Sequence, residues 1–147
     1  MNHSVTCTHR LVLPVDTNHH GTLYAGALLR IALEAAYVTA HQAVGSGANL
    51  LLRRVLSLEC YRPVPVGSMI EIRGVPLHMT RAYLVVGLLG VPLANEEGPW
   101  MDGLMGFVQV DSDGQPAPFP SELATPSTAE GEWKELGERM EKLLRVR

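Results

Sequence analysis

The chain has 147 residues and a formal net charge of −3, with 46% hydrophobic and 18% charged residues, a length that fits one domain able to fold without disulfide or structural metal. No basic run tracks a phosphate backbone and no apolar stretch reaches the ~20 residues of a membrane span, which argues against nucleic-acid or membrane partners. Charge below the usual ~25% suggests a surface partly buried between subunits.

In chain order, Met1 to Ser4 show no cationic region leading into an apolar one. No secretory signal is expected, and the chain reads as cytoplasmic. Cys7 and Cys60 lack CxxC spacing and read as buried thiols rather than a disulfide. Ser4 to Leu13 alternates as a strand does, and Pro14 ends it. Asp16 to Gly21 is a polar loop of residues that bond the backbone locally. From Leu23 to about Ala43 apolar residues recur at helical spacing on nearly every face, which predicts a central helix buried on most sides. Strand-like runs follow at Leu50 to Tyr61, Met69 to Leu77, Tyr83 to Pro92 and Trp100 to Val110, with a turn at Asn95 to Gly98. Pro116, Pro118, Pro120 and Pro126 mark an extended linker. Glu130 to Arg145 is an amphipathic helix whose stripe is Trp133, Leu136, Met140, Leu143 and Leu144. Strands joined by short turns make an antiparallel sheet, so the class is α+β.

Chemistry concentrates between Val12 and Gly26. That segment is polar, tightly turned, and leads straight into the buried helix. The first N–H groups of a helix lack internal partners and carry partial positive charge, so a carbonyl oxygen gaining negative charge is stabilised there. His3, His9, Asp16, His19 and His20 are close in sequence but lack metal-ligand spacing, and no metal is expected.

Pro14, Asp16 to Leu23 and Gly26 match the motif P-x-D-T-N-H-H-G-T-L-F-G-G almost letter for letter. Tyr61 to Gly67 is similar to F-x-x-P-V-x-V-G-D, and Phe107 to Pro116 to F-V-x-V-D-x-D-G-K-P. On these three motifs the chain resembles the hotdog-fold acyl-CoA thioesterases, in particular their cytosolic acyl-CoA hydrolase branch, over roughly residues 10 to 120. The resemblance implies a long antiparallel sheet wrapped round the central helix. It implies homodimers with interface active sites, in the family often assembled further into hexamers, acting on an acyl-CoA with no cofactor. Residues 1–120 would form this domain, and 121–147 the linker and C-terminal helix.

The resemblance also assigns roles. Asn18 places the attacking water, and the backbone of Gly21, Tyr24, Ala25 and Gly26 holds the oxyanion. The family's helix carboxylate lies in W-x-D-E-x-A, which reads here Ile31 to Ala36, with Leu33 at the carboxylate position and Glu34 beside it. Glu34, His19 or His20 would have to replace that base. Burial of Glu34 in an apolar helix would raise its pKa and suit it to that task; otherwise it bonds backbone or a neighbouring Arg. Arg53, Arg54 and Arg81 are candidate contacts for CoA phosphates. Two other readings stand beside hydrolysis. One is a degenerate acyl-CoA or acyl-chain binding protein, favoured by Leu33. The other is a hotdog hydratase or dehydratase, whose D-x-N-P-x-H loop is echoed only by Asp16 and Asn18.

Overall fold

The computed structural model describes residues 5–94, 96–120 and 130–145. Met1 to Ser4, with His3, lie outside the described residues, as do Asn95 of the expected turn and residues 121–129 of the linker, with Pro126. The elements are β1 (Thr6–Leu11), α1 (Ala25–Val44), β2 (Leu50–Cys60), β3 (Met69–Met79), β4 (Tyr83–Gly90), β5 (Met101–Gln109) and α2 (Lys134–Arg145). Short 3-10 turns at Pro14–Asp16 and Gly131–Trp133 precede the two helices. The strands form one antiparallel sheet in the order β1-β3-β4-β5-β2. The α+β class and the long sheet round a central helix are as expected. No described helix is long and apolar enough to cross a membrane.

Period-two alternation divides the sheet into two faces. Ile70, Ile72, Leu84, Val86, Leu88, Met105 and Phe107 face α1 and pack on Ile31, Ala32, Ala35 and Ala36. Small alanines at these helix positions let α1 lie close to the sheet. The opposite face presents Val75, Leu77, Val85, Leu89 and Leu104, covered by Trp133, Leu136 and Met140. The amphipathic stripe of α2 thus packs on its own chain. Strand β4, buried on both faces, is a continuous apolar run for that reason.

Two expectations are corrected here. Helix α1 is buried along one face only: Leu29, Tyr37 and Val38 are exposed in the single chain. Composition reports apolar surface without saying whether the same chain covers it. Cys7 and Cys60 are free, but both are exposed rather than buried.

Among the described residues β2 pairs only with β5, and its other edge is open. It also carries two bulges against β5, at Arg53 and at Leu56. Each lets two consecutive residues face one side: Arg53 and Arg54, then Leu56 and Ser57.

Candidate active site

The loop before α1 is held from three directions. The Oδ1 atom of Asn18 accepts hydrogen bonds from the backbone N–H of His20 (2.9 Å) and Thr22 (3.2 Å) and from the Thr22 hydroxyl. Two backbone donors require an acceptor, so the oxygen faces the loop and the Asn18 amide NH2 faces away from it. Gly21 takes φ +73°, a conformation that favours glycine. The loop then docks on the segment after β2: Leu23 N–H donates to Val64 O (2.8 Å) and Val66 N–H to Gly21 O (2.9 Å). Two of the sequence motifs are therefore neighbours in space.

Asp16 has only 1% exposure and is a tether rather than a reacting group. Its carboxylate accepts from Leu13 N–H (3.0 Å) and from Arg30 (3.3 Å), with Arg10 at 3.6 Å. It ties β1, the loop and α1 together. Among the described residues no group of three His, Cys, Asp or Glu side chains converges on one point.

Tyr24 stands at the helix N-cap in extended conformation, its side chain making no capping bond. Its N–H donates to Asp16 O, and the first intrahelical bond runs from Leu28 N–H to Tyr24 O (3.0 Å). Among the described residues the N–H groups of Ala25, Gly26 and Ala27 have no backbone acceptor. They are the uncommitted donors of a helix start, at the positive end of a 20-residue macrodipole. The Tyr24 ring lies over Gly26, and any larger residue there would collide with it.

The side chains proposed as bases lie elsewhere. His19 and His20 are both exposed, their rings 3.9 Å apart, on the loop next to Asn18. Glu34 is not buried, as its apolar helix suggested: its side chain is 59% exposed and sits 3.5 Å from Arg30, one turn back. Leu33 is half-buried and lines an open apolar groove with Tyr37, Val38, Leu52 and Phe107, Glu34 standing at its rim. The position where a carboxylate was expected thus belongs to a hydrocarbon wall.

Arg10, Arg30, Arg62, Arg73, Arg139 and Arg145 each lie against a carboxylate. Among the described residues Arg53, Arg54 and Arg81 do not. Arg53 and Arg54 come together on the α2 side of the sheet, whereas Arg81 is exposed in the turn between β3 and β4 and does not join them.

One buried charged group escaped the sequence reading. Asp102, 4% exposed, receives a fork from Arg139 of α2 (2.8 and 3.2 Å) and the Tyr61 hydroxyl (2.7 Å). Burial and the adjacent carboxylate push the Tyr61 phenol above its usual pKa. The available signal was one acid inside the apolar run Trp100 to Val110.

No family model matches the sequence, and no curated protein matches it. Solved structures do. An acyl-CoA hydrolase from Staphylococcus aureus, in complex with butyryl coenzyme A, coenzyme A and coenzyme A disulfide, is 21% identical at a TM-score of 0.78, covering 96% of this chain and 87% of its own. An acyl-CoA hydrolase from Bacillus cereus is 20% identical at 0.80, covering 97% and 85%. A hexameric acyl-CoA thioesterase in its apo form is 27% identical at 0.77, covering 97% and 94%. The shared architecture is the hotdog fold.

Proposed function

We propose that this hotdog-fold chain acts on an acyl-CoA thioester, hydrolysing it to a free acid and CoA. The observation that carries the reading is the start of α1, where among the described residues the N–H groups of Ala25, Gly26 and Ala27 have no backbone acceptor, at the end of a loop whose Asn18 amide NH2 is turned away from it. Those N–H groups would receive the thioester carbonyl oxygen. Water, held by the Asn18 NH2, adds to the carbonyl carbon and passes a proton to a base. The tetrahedral oxyanion then collapses, the carbon–sulfur bond breaks, and the CoA sulfur takes the proton back from the base and leaves as a thiol. No cofactor is needed, because water is the only co-reactant. Of the backbone expected to hold the oxyanion, the N–H groups of Gly21 and Tyr24 already bond Asn18 O and Asp16 O, which leaves Ala25 and Gly26 for that role; His19, His20 and Glu34 are the groups present to take the proton. Arg53, Arg54 and Arg81, which lie against no carboxylate among the described residues, are the cations proposed for CoA phosphates.

Asn18→Ala would lose the amide and the loop anchor together. It should lower turnover of a panel of acyl-CoAs by roughly tenfold or more, since removing one oriented hydrogen-bonding group at a reacting centre costs on that scale. Unchanged turnover would sink the assignment.

The Leu33, Leu52 and Phe107 wall supports a second reading, an acyl-CoA or acyl-chain binder that does not hydrolyse. Measurable acyl-CoA binding with no turnover across the panel would select it.

The proposal includes a homodimer through β2. Its open edge is 11 residues long, and Leu51, Leu52 and Val55 on it are exposed, as are Leu29, Tyr37 and Val38 of α1. A long apolar edge strand is a template for pairing with another chain. A second copy would cover both surfaces and bring its loop opposite this α1. Residues 1–120 would form the catalytic unit, and α2 would brace its sheet. Val55→Lys is expected to shift the chain toward monomer in light scattering; an unchanged mass would place the interface elsewhere.

A further inference from the structure

On the face of the sheet away from α1, a cavity of about 630 Å3 is lined by Arg53, Arg54, His78, Thr80, Tyr83 and Leu144. Its volume lies in the range of ligand pockets. Among the described residues no acidic side chain lines it. The two arginines are consecutive, and in an unbroken strand they would point to opposite faces. The bulge at Arg53 turns both to one side, and a second bulge in β3, at Leu77, brings His78 to the same side. Two adjacent guanidinium groups without a carboxylate repel each other. The chain pairs six other arginines with acids but leaves these two facing a cavity.

The remaining lining supplies neutral donors. The Arg53 guanidinium lies 5.3 Å from the Tyr83 ring centroid, which fixes its direction. The Tyr83 hydroxyl is buried without a hydrogen-bond partner, over Gly106, where a side chain of any size would displace it. Burial pushes its phenol pKa up, against the smaller opposing pull of Arg54 and Arg53, so it stays a protonated donor at neutral pH. Thr80 adds a second hydroxyl.

We propose that this cavity is a phosphate site, in which Arg53 and Arg54 hold a phosphoryl group of a phosphorylated ligand and Thr80 donates to its oxygens. Planar arginine forks suit phosphate oxygens, and such charge-assisted bonds are about twice as strong as neutral ones. The proposal deepens the CoA reading by selecting the Arg53 and Arg54 pair and excluding Arg81, but it does not depend on hydrolysis.

Calorimetry on the whole chain tests it with ADP and adenosine as probes. ADP should bind, and adenosine should bind at least roughly tenfold more weakly, because a charge-assisted bond contributes on that scale. Arg53→Gln combined with Arg54→Gln should weaken ADP by roughly tenfold or more at an unchanged melting temperature. Should the double variant fail to fold, Thr80→Val carries the test, weakening ADP several-fold. Competition identifies the source: displacement of ADP by CoA makes the phosphate that of CoA, and retention makes it a separate nucleotide. Equal binding of ADP and adenosine, no ADP binding, or wild-type affinity in the variants would each overturn the proposal. The readout is binding, so a chain inert toward acyl-CoA still decides the question.

Discussion

Leu33→Asp is expected to raise hydrolysis of acyl-CoA by roughly a hundredfold or more, the lower end of what a positioned general base contributes. The position is suited to the change. Leu33 is half-buried in a groove whose other walls are Tyr37, Val38, Leu52 and Phe107. A carboxylate placed there is partly desolvated, which raises its pKa and makes it a better base near neutral pH. The substitution also removes a leucine that packs against the core cluster, so stability should fall by about 1–3 kcal/mol. Leu33→Asn separates the two effects, because it loses the same packing but cannot take a proton. Hydrolysis should rise in the aspartate variant alone. Equal rates in the two variants would mean that the reacting carbonyl does not lie over this groove. The neighbouring Glu34 is no substitute in geometry: one residue along a helix is a rotation of about 100°, and its carboxylate points to solvent and Arg30.

The second large effect concerns stability. Arg139→Ala should destabilise the fold by about 3 kcal/mol, the lower end for removing one partner of a buried ion pair. Asp102 would keep only the Tyr61 hydroxyl in a site that is 4% exposed. Arg139 itself retains 24% side-chain exposure, which is why the lower end applies. For a chain of this size that is roughly 6–12 °C in melting temperature. The combined change Asp102→Leu with Arg139→Leu should be far milder, since apolar replacement of both partners removes the desolvation penalty along with the attraction. Denaturant titration of the three proteins gives the comparison. A loss below about 1 kcal/mol in Arg139→Ala would show that solvent reaches Asp102 freely.

Much of the fold was legible because its signals are local. Alternation in β1, the continuous apolar run of β4, the alanine-rich face of α1 and the stripe of α2 each depend on residues a few positions apart. Even so, α1 starts at Ala25 and not Leu23, because Leu23 bonds Val64 and Tyr24 turns extended to cap the helix. The motif from Pro14 to Gly26 was legible as a turned loop feeding a helix. Its docking on Val64 to Gly67 was not, because those contacts span some forty residues. Exposure of Glu34 could not be read either, since an apolar helix looks alike whether its own chain or another covers it. Arg139 and Asp102 are 37 positions apart and meet only through the packing of α2 on the sheet. Arg53 and Arg54 were singled out by type, but alternation alone would have sent them to opposite faces.

The bulges in β2 have a consequence best seen as parity. A strand is a two-letter code, inside and outside, read one residue at a time. An extra residue at Arg53 inverts the reading frame, and the extra residue at Leu56 inverts it again. Leu52 and Leu58 therefore remain in phase, both on the α1 face, although the segment between them has been rewritten to place four residues on the other face. The two bulges correct each other. Straightening either one alone, with every residue kept, would carry the error to one end of the strand and exchange Leu58 with Glu59, or Leu52 with Leu51. Straightening both would restore a regular strand with its ends correctly phased and its pair of outward arginines gone. The cationic pair is thus a rewritable passage within a frame that the rest of the sheet holds fixed.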